Sequence, residues 1–413
     1  MQIIAQAHTD IGRKKRSNED TFLIDPKSKL YIVADGMGGH AAGEVASATA
    51  VESAQRMIRE SLTEREFDES EESRQALLTI LERAVRKAGR DIHAEAERDI
   101  SKRGMGTTVS LLLLTSNRGY IAHVGDSRVY LIRQNEVFQL TEDHSLIREL
   151  IRSKKITPEE AENSPYRNAL TRAVGVYADV EVDLLDFEIA DGDRFLLCSD
   201  GLSNYFESDA EVNEILTEGS FESAPQRYVD IANARGGKDN ITGLVVEIQS
   251  RGAQSDDIAF RLNILRQMPI FQHLEYVELI EVLNSSTQRH YSAGDLIFDE
   301  GVQGDEMFVI LEGEVSIRKG GQIVIKMGQG GHFGEMALMD RNPRSAAAHA
   351  ELETRVIVVK RRPLFRLMQQ NNEIAVKLLW CFMQVLNQRL RFTTQDLERM
   401  KRDLPLESVL ELD

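Results

Sequence analysis

Five aspartates that lie far apart in the chain each occupy a short polar phrase, most of them marked by glycine: Asp20, Asp35, Asp126, Asp200 and Asp239. Apolar, β-branched runs precede most of these phrases, a pattern that predicts buried strands which each deliver a carboxylate at their end. Carboxylates gathered in one place repel one another unless a cation neutralises them. Because such hard oxygen ligands suit Mg²⁺ or Mn²⁺ rather than zinc, the sequence predicts a carboxylate metal centre.

The size and charge of the chain limit the classes of protein to which it can belong. Its 413 residues are too many for one ordinary domain, so we expect two or three hydrophobic cores. A formal net charge of −17 argues against nucleic acid as a partner, because phosphate backbones require a basic surface. No apolar run approaches the ~20 residues of a membrane-spanning helix. The amino terminus lacks a secretory pattern, and Cys198 and Cys381 lie in separate segments, so we expect a cytoplasmic protein with reduced thiols.

Residues 1–249 have the pattern of one domain that mixes strands and helices. Apolar residues at three- and four-residue spacing predict helices over 43–60 and 71–98. The strands are mostly separated by short turns, which favours antiparallel pairing with helices on the sheet faces. Residues 145–175 are polar, partly helical and interrupt the strand pattern, so we expect an insertion near the metal centre.

The composition changes at residues 250–257, a polar segment with glycine that is typical of a linker. Residues 258–395 begin with a helical stretch, continue as short β phrases between glycine turns and return to helix near residue 362. Regular turns between short strands predict a small barrel or jelly roll. The sequence then predicts a C-terminal tail over 396–413.

The polar phrases of the first domain form an ordered set that is more specific than any single Asp-Gly turn. They are Asn18-Glu19-Asp20, Asp35-Gly36-Met37-Gly38-Gly39-His40 with Gly43-Glu44, Gly104-Met105-Gly106-Thr107-Thr108, Gly125-Asp126-Ser127-Arg128, Ser199-Asp200-Gly201 and Asp239-Asn240-Ile241-Thr242. In order and spacing they resemble the metal-dependent serine/threonine protein phosphatases of the 2C type, over about the first 250 residues. The resemblance implies an α+β fold, a four-layer α-β-β-α sandwich.

The resemblance also implies a centre of two Mn²⁺ or Mg²⁺ ions, and of three in bacterial members. Asp35 would bridge the first two ions, and Asp126 with Asp200 would hold the third. Two cations about 4 Å apart hold a water between them and lower its pKa, which presents hydroxide to phosphorus in line with the leaving oxygen. The metal ligands that the resemblance implies are Glu19, Asp20, Asp35, Gly36, Asp126, Asp200 and Asp239.

One position departs from the family pattern. The family usually places an arginine three residues before the Asn-Glu-Asp phrase, where it holds the substrate phosphate, and this chain has Lys15 there. Lysine is a point charge and does not grip phosphate in a bidentate manner. Either Lys15 binds the substrate phosphate and orients it less strictly, or the side chain of Arg16 or Arg13 reaches the phosphate instead. His40 is a candidate proton donor to the leaving seryl oxygen, and a structural role at a helix start is the equal alternative.

In the second domain, a glycine-rich turn leads into Gly334-Glu335-Met336-Ala337, and Arg344-Ser345 begins nine residues after the glutamate. This segment resembles the phosphate-binding cassette of cyclic-nucleotide-binding domains, which implies a β-roll or jelly roll with flanking helices. Glu335 would accept from the ribose 2′-hydroxyl and Arg344 would pair with the cyclic phosphate. A hydroxyl at position 345 is compatible with cAMP and cGMP, and we expect cAMP. The residues that this resemblance assigns to the ligand are Gly334, Glu335, Met336, Ala337, Arg344 and Ser345.

These patterns predict an enzyme that hydrolyses phosphoserine and phosphothreonine in proteins and is regulated by a cyclic nucleotide. Its partners would be phosphorylated proteins, serine/threonine kinases among them. One alternative is a weakly active or inactive phosphatase-fold binding protein that acts as a cyclic-nucleotide-sensing adaptor, which only Lys15 favours. Another is a structural barrel that dimerises through the apolar C-terminal face, which includes Trp380 and Phe382, although such a stripe commonly packs on its own barrel.

Overall fold

The computed structural model divides the chain into two compact units, Met1–Asp256 and Asp257–Asp413. The predicted linker falls largely on residues that the structure does not describe, so the boundaries of the predicted domains stay a prediction. The described residues are 1–38, 42–157, 160–161, 164–166, 169–250 and 257–403.

The first unit contains two antiparallel sheets. The five-stranded sheet has the order β1 (Gln2–Asp10), β11 (Ile241–Ser250), β10 (Arg194–Cys198), β7 (Arg128–Arg133) and β8 (Glu136–Gln139). The six-stranded sheet has the order β2 (Asp20–Asp25), β3 (Leu30–Met37), β5 (Val109–Leu114), β6 (Arg118–Val124) and β9 (Asp183–Glu188), with β4 (Gly106–Thr107) paired to β3.

The two sheets face each other, and helices cover their outer faces. Residues 30–34 of β3 are all buried, alternate ones belonging to the core beneath the helices. Phe187 of β9 and Phe195 of β10, which belong to different sheets, have ring centroids 5.8 Å apart. The helices of this unit are α1 (Ala42–Glu64), α2 (Glu71–Arg98), α3 (Leu146–Arg152), α4 (Asp200–Ser203), α5 (Asp209–Thr217) and α6 (Ala224–Ala234). The predicted α-β-β-α sandwich is confirmed.

Helix α2 illustrates how local sequence defines these elements. Ser70 precedes the helix, and its hydroxyl oxygen accepts a hydrogen bond from the backbone N–H of Ser73, which satisfies a donor of the first turn. Leu77, Leu81 and Ala84 lie on one face and are buried in the core shared with α1 and the six-stranded sheet. The helix spans the range predicted from this spacing.

The second unit is a roll of two four-stranded sheets with helices at both ends of the segment. The first sheet has the strand order β12 (Ser286–Tyr291), β19 (Thr354–Lys360), β14 (Glu306–Glu312) and β17 (His332–Phe333). The second sheet has the strand order β13 (Leu296–Phe298), β18 (Ala347–Ala350), β15 (Val315–Lys319) and β16 (Gln322–Met327). The helices are α7 (Asp257–Gln267), α8 (Tyr276–Asn284), α9 (Met336–Met339), α10 (Arg361–Gln370) and α11 (Asn372–Asp403). The predicted β-roll is confirmed, and α11 extends past the predicted domain end at residue 395.

Cys198 and Cys381 are both free and buried. None of the helices in the described ranges is both long and apolar enough to cross a lipid bilayer.

Candidate functional site

Strand pairing brings the first two aspartates together. In the antiparallel ladder of β2 and β3, Asp20 is the direct partner of Asp35. The expectation that a carboxylate follows the end of its strand is wrong for Asp35, because β4 pairs with Gly36 and Met37 and prolongs β3 past it. Asp20, for which no preceding strand was expected, opens β2.

Asp20 is fixed by two hydroxyl groups. Its Oδ2 atom accepts hydrogen bonds from Ser199 Oγ at 2.8 Å and Thr242 Oγ1 at 2.6 Å. Its Oδ1 atom is buried and has no hydrogen-bond partner among the described residues. Burial raises the pKa of Asp20 to about 7, with a further contribution from the negative charges of Asp200 and Asp239 and against the two hydroxyl hydrogen bonds. The part of the chain that the structure describes thus leaves one oxygen of this buried carboxylate without a partner.

Asp35, Asp126 and Asp200 form one electrostatic cluster. Burial raises the pKa of Asp35 well above its ordinary value, and the charges of Asp20 and Asp200 raise it further. Burial and then the charge of Asp239 raise the pKa of Asp200, and a side-chain hydrogen bond with Asp35 opposes the rise. Burial and the charge of Asp200 likewise raise the pKa of Asp126 to about 8. All three side chains keep part of their surface open to solvent, so an ion has access to them.

Asp126 lies on a turn between β6 and β7 that buried residues hold in place. Gly125 has φ of 115°, a conformation that favours glycine, and its backbone N–H donates to His144 Nδ1 at 3.0 Å. Ser127 Oγ lies 2.7 Å from Thr108 Oγ1, which also accepts from the backbone N–H of Asp35 at 2.9 Å. The turn is thus tied to the same strand that carries Asp35.

Asn240 connects Asp239 to the segment before β2. Its Oδ1 atom accepts from the backbone N–H of Glu19 at 2.9 Å, and its Nδ2 atom donates to the carbonyls of Ile11 and Ser17. Next to it, Lys15 Nζ lies 2.5 Å from Asp239 Oδ1. Burial lowers the pKa of Lys15, but Asp239 and the more distant carboxylates outweigh it, so the pKa is raised. The lysine is therefore charged and faces the carboxylate cluster.

Glu19 and Gly36 meet through the backbone at the edge of this cluster. The N–H of Gly36 donates to the Glu19 carbonyl at 3.1 Å, and a Cβ atom at Gly36 would lie 2.1 Å from the carbonyl oxygen of Gly43. Only glycine fits this close approach of two backbones. Burial raises the pKa of the Glu19 carboxyl, with Lys15 opposing and Asp239 adding to the rise.

The donor set fits divalent cations that keep part of their water. The buried Asp20 oxygen without a partner among the described residues, and the raised pKa values of Asp35 and Asp200, both mark a deficit of positive charge. Within the described ranges, no three acidic, histidine or cysteine side chains converge closely enough to enclose an ion by themselves. Mg²⁺-like ions retain several waters and use few direct protein ligands, so a wide arrangement of carboxylates suits them.

A second site lies in the other unit, around the guanidinium of Arg344. Its Nη1 atom donates to the Gly334 carbonyl at 3.0 Å and its Nη2 atom to the Glu306 carbonyl at 2.8 Å. The guanidinium carbon lies 4.1 Å from the ring centroid of Phe298, and the buried Nε atom has no hydrogen-bond partner in the described ranges. A Cβ atom at Gly304 would lie 2.3 Å from that Nε, so a larger residue there would displace the guanidinium.

Arg344 opens onto a cavity of about 230 Å³. Glu335, the residue before α9, is buried like Arg344, and both line the cavity. An acidic and a basic side chain thus face an otherwise largely apolar wall, an arrangement suited to a ligand with both polar and apolar parts. The lining residues are Phe298, Ile317, Met327, His332, Phe333, Gly334, Glu335, Met336, Ala337, Asp340, Asn342, Pro343, Arg344, Ser345 and Ala346.

Two family models match the chain. The model described as protein phosphatase 2C matches residues 11–241, which are more than half of the 413 residues. This chain belongs to the protein phosphatase 2C family. Its enzyme class is therefore metal-dependent protein-serine/threonine phosphatase, as predicted. The model described as cyclic nucleotide-binding domain matches residues 288–371, which contain the cavity around Arg344.

Individual relatives agree with the family. The serine/threonine phosphatase stp of Listeria innocua is 40% identical over 247 residues, which are 59% of this chain and 95% of that protein. The protein phosphatase PhpP of Streptococcus pneumoniae is 36% identical over 250 residues, which are 60% of this chain and 98% of that protein. The solved catalytic domain of the phosphatase PstP, in complex with two manganese ions, is 35% identical with a TM-score of 0.52, over 60% of this chain and 99% of that chain.

The phosphatase unit thus brings together the predicted aspartates, with Lys15 beside Asp239 and with Arg16 exposed. His40 lies outside the described residues. Sequence analysis did not single out three residues that hold the aspartates: Ser199, Asn240 and Thr242. The sequence did contain an indication of these residues. Each is polar, lies one or three positions from a predicted metal ligand and adjoins or interrupts an otherwise apolar strand.

His123 and His144 lie in the interior of the phosphatase unit, where their ring nitrogens bond to neighbouring groups. His123 is fully buried, with Nε2 3.0 Å from the Glu142 carbonyl oxygen and Nδ1 2.9 Å from Ser110 Oγ. These partners assign the neutral ring with its proton on Nε2. Burial, and then the neighbouring His144, lowers the pKa of His123 from 6.5 to about 4.

We therefore expect the His123 ring to stay neutral in the folded protein down to about pH 5. The unfolded chain binds this proton near pH 6.5 and the folded chain near pH 4. The corresponding stability is thus complete above about pH 6.5 and lost as the pH falls towards 4. Histidine-labelled NMR, with H123Q to assign the signal and urea-unfolded protein as the reference, measures this. A folded-state titration of His123 near pH 6.5 would contradict the burial argument.

Proposed function

We propose that this chain removes phosphate from phosphoserine and phosphothreonine in proteins at a divalent metal centre in its first unit, under control of a cyclic nucleotide bound to its second unit. The convergence of Asp20, Asp35, Asp126 and Asp200 around a deficit of positive charge is the observation that carries the metal centre. Phosphorylated serine/threonine kinases among the substrates, and a cytoplasmic location, stay predictions.

Glu19, Asp20, Asp35, Asp126, Asp200, Asp239 and the Gly36 carbonyl are the residues that would hold two or three Mn²⁺ or Mg²⁺ ions. When bound, such ions activate a water for attack on phosphorus and neutralise the charge of the phosphoryl oxygens. The protein keeps the ligands in place: Ser199 and Thr242 orient Asp20, and Asn240 fixes the backbone of Glu19. A relative in complex with two manganese ions supports this assignment.

Replacing Asp239 with Asn should reduce Mn²⁺-dependent hydrolysis of a phosphothreonine peptide by on the order of 10³-fold, because the centre loses a negative ligand. Initial rates at saturating Mn²⁺ measure the effect, and Mn²⁺ affinity by calorimetry should fall with it. The matched control is Asp209→Asn, since Asp209 is an exposed aspartate in the first turn of α5. Unchanged turnover in D239N would mean that the measured activity comes from a contaminant. It would then favour the alternative in which the chain is an adaptor.

We further propose that Lys15 binds the substrate phosphate. Its ammonium group is charged and lies beside Asp239, where it supplies part of the positive charge that the carboxylates require. Bound divalent cations would take over that neutralisation, which leaves the ammonium group for the anionic substrate. Arg16 is exposed and stays the second candidate for this role, and His40 stays a candidate proton donor to the leaving oxygen.

Lys15→Ala should raise KM for the phosphopeptide more than it lowers kcat. A charge-assisted hydrogen bond contributes about 1.5–3 kcal/mol, so we expect a loss in kcat/KM of roughly 10- to 150-fold. Lys15→Arg should retain most activity, because the charge is kept and the guanidinium grips phosphate in a bidentate manner. Lys14→Ala, at an exposed neighbouring lysine, is the control. A larger loss in K14A or R16A than in K15A would assign the phosphate to another residue.

The second unit would bind cAMP, or more weakly cGMP, in the cavity lined by Glu335 and Arg344. Arg344 uses two of its N–H groups on backbone carbonyls, and its Nε–H has no partner in the part of the chain that the structure describes. A guanidinium with spare donors beside an apolar wall suits a ligand that joins a phosphate to an aromatic base. Glu335 would accept from the ribose 2′-hydroxyl.

Contacts inside the second unit connect the ligand cavity to the C-terminal helices. The carbonyl of Leu338, in α9 at the cavity, accepts a hydrogen bond from Arg361 Nε at 3.1 Å. Arg361 is the first residue of α10, and α10 packs against α11. A ligand that binds one position of α9 more tightly would therefore bias the position of these helices, which is the requirement for regulation.

Calorimetry should detect binding of cAMP to the whole chain, and Arg344→Ala should weaken it by about 100-fold, because the phosphate loses its charged donor. Saturating cAMP should change phosphopeptide hydrolysis in the wild-type protein and not in R344A. Arg341→Ala, at an exposed arginine of the same segment, is the control, and cGMP is the second ligand arm. Equal rates with cAMP demonstrably bound would contradict regulation, and tighter binding of cGMP would contradict the preference for cAMP.

A further inference from the structure

The turn that carries Asp126 passes from β6 in the six-stranded sheet to β7 in the five-stranded sheet. Gly125, the residue before Asp126, is buried and is hydrogen-bonded through both its N–H and its carbonyl. The N–H donates to His144 Nδ1 at 3.0 Å, and the carbonyl accepts from the backbone N–H of His144 at 2.7 Å and from His123 Nε2 at 3.1 Å. Because these bonds hold the peptide planes on both sides of Gly125, they fix the direction in which the chain enters Asp126.

The ring of His144 is held in turn from its opposite side. A backbone N–H always carries its proton, so Nδ1 is the acceptor for Gly125 and Nε2 carries the ring proton. That proton is donated to Asp183, whose Oδ2 atom lies 2.9 Å from Nε2. Asp183 opens β9, the last strand of the six-stranded sheet, and its Oδ1 atom accepts from Arg172 Nη1 at 2.7 Å. A carboxylate on a sheet strand therefore orients the imidazole.

His144 connects the protein surface with the buried turn. Its ring is buried, whereas 45% of the Asp183 side chain is exposed. The carbonyl of His144 accepts a hydrogen bond from the backbone N–H of Thr171 at 2.8 Å, which also ties the residue to the end of the polar segment that follows it. The contacts thus run from a half-exposed carboxylate, through one imidazole, to the turn that presents Asp126.

We infer that His144 and Asp183 are positioning residues for Asp126: Asp183 locks the imidazole, and the imidazole holds the turn in the geometry in which Asp126 binds a divalent cation. This inference rests on the proposed metal centre. Glycine has the greatest backbone freedom of any residue, so without these bonds the turn at Gly125 would orient the carboxylate less well. Removal of the groups that orient a metal ligand lowers metal affinity by about 10- to 100-fold.

Calorimetric titration of the full chain with MnCl₂, in the absence of substrate, tests the inference. Asp126→Asn identifies the part of the Mn²⁺ binding that depends on Asp126. Asp183→Ala should weaken that part by about 10-fold, because the ring loses the acceptor for its Nε2–H. Asp183→Asn should retain most of the affinity, since the amide oxygen accepts the same hydrogen bond. The control is Asp179→Ala, because Asp179 is exposed just before β9 and pairs with Arg86 instead.

The pattern across the variants separates positioning from a simple effect of charge. In the D126N background, D183A should change the Mn²⁺ titration no further, because both substitutions act on the same ligand. Equal losses in D183A and D183N would overturn the inference, since the lost charge and not the hydrogen bond would then govern the affinity. A loss in D126N with unchanged binding in D183A would also overturn it and leave the metal centre standing. Unchanged binding in D126N would overturn the metal role of Asp126 and the inference with it.

Histidine-labelled NMR of the metal-free chain tests the geometry independently of metal binding. In the wild-type protein, the His144 ring should carry its proton on Nε2, and D183A should make that proton exchange faster with water, because its acceptor is gone. His144→Asn assigns the signal, and a circular dichroism melt verifies that each variant is folded. A wild-type ring with its proton on Nδ1 would overturn the inference, since that nitrogen could not then accept from Gly125.

Discussion

The repulsion between buried carboxylates is the constraint on which the first unit depends. The β2–β3 ladder sets Asp20 opposite Asp35, and the short helix after β10 brings Asp200 to the same place. Among the described residues, this charge is relieved only in part, by the hydroxyl groups on Asp20 and by the ammonium group of Lys15 beside Asp239. A site that holds its own ligands in an unfavourable state binds divalent cations strongly, because the cations remove the repulsion.

The second unit also contains a buried charged group whose bonding is incomplete, and here the charge is positive. Burial lowers the pKa of Arg344, although Glu306, Asp305 and Glu335 oppose this effect. Backbone carbonyls and the face of Phe298 hold the guanidinium, and the residues described by the structure leave its Nε–H without a partner. In both units a rigid sheet supports a charged group whose bonding is incomplete, which is the usual state of a site that awaits a ligand.

The aspartate phrases were predictable from sequence because each follows or opens a strand with a strongly apolar pattern. Their grouping was predictable only through the resemblance to a family, since spacing alone does not say which strands pair. The position of Asp35 inside β3 was missed because it depends on β4, a two-residue strand with no sequence pattern of its own. Asn240 was missed as a positioning residue because its partners, Ile11, Ser17 and Glu19, lie more than 200 residues away.

The sequence by itself determined the two-domain order, the range of α2 and the residue types at both sites, because these follow from local periodicity and from short phrases. It did not determine which apolar face of α11 is buried. Both faces have helical spacing, and the sequence alternative of dimerisation included Phe382, which the structure buries, together with Trp380, which it exposes. Only packing against the roll decides between them, because burial depends on what the rest of the chain places beside each face.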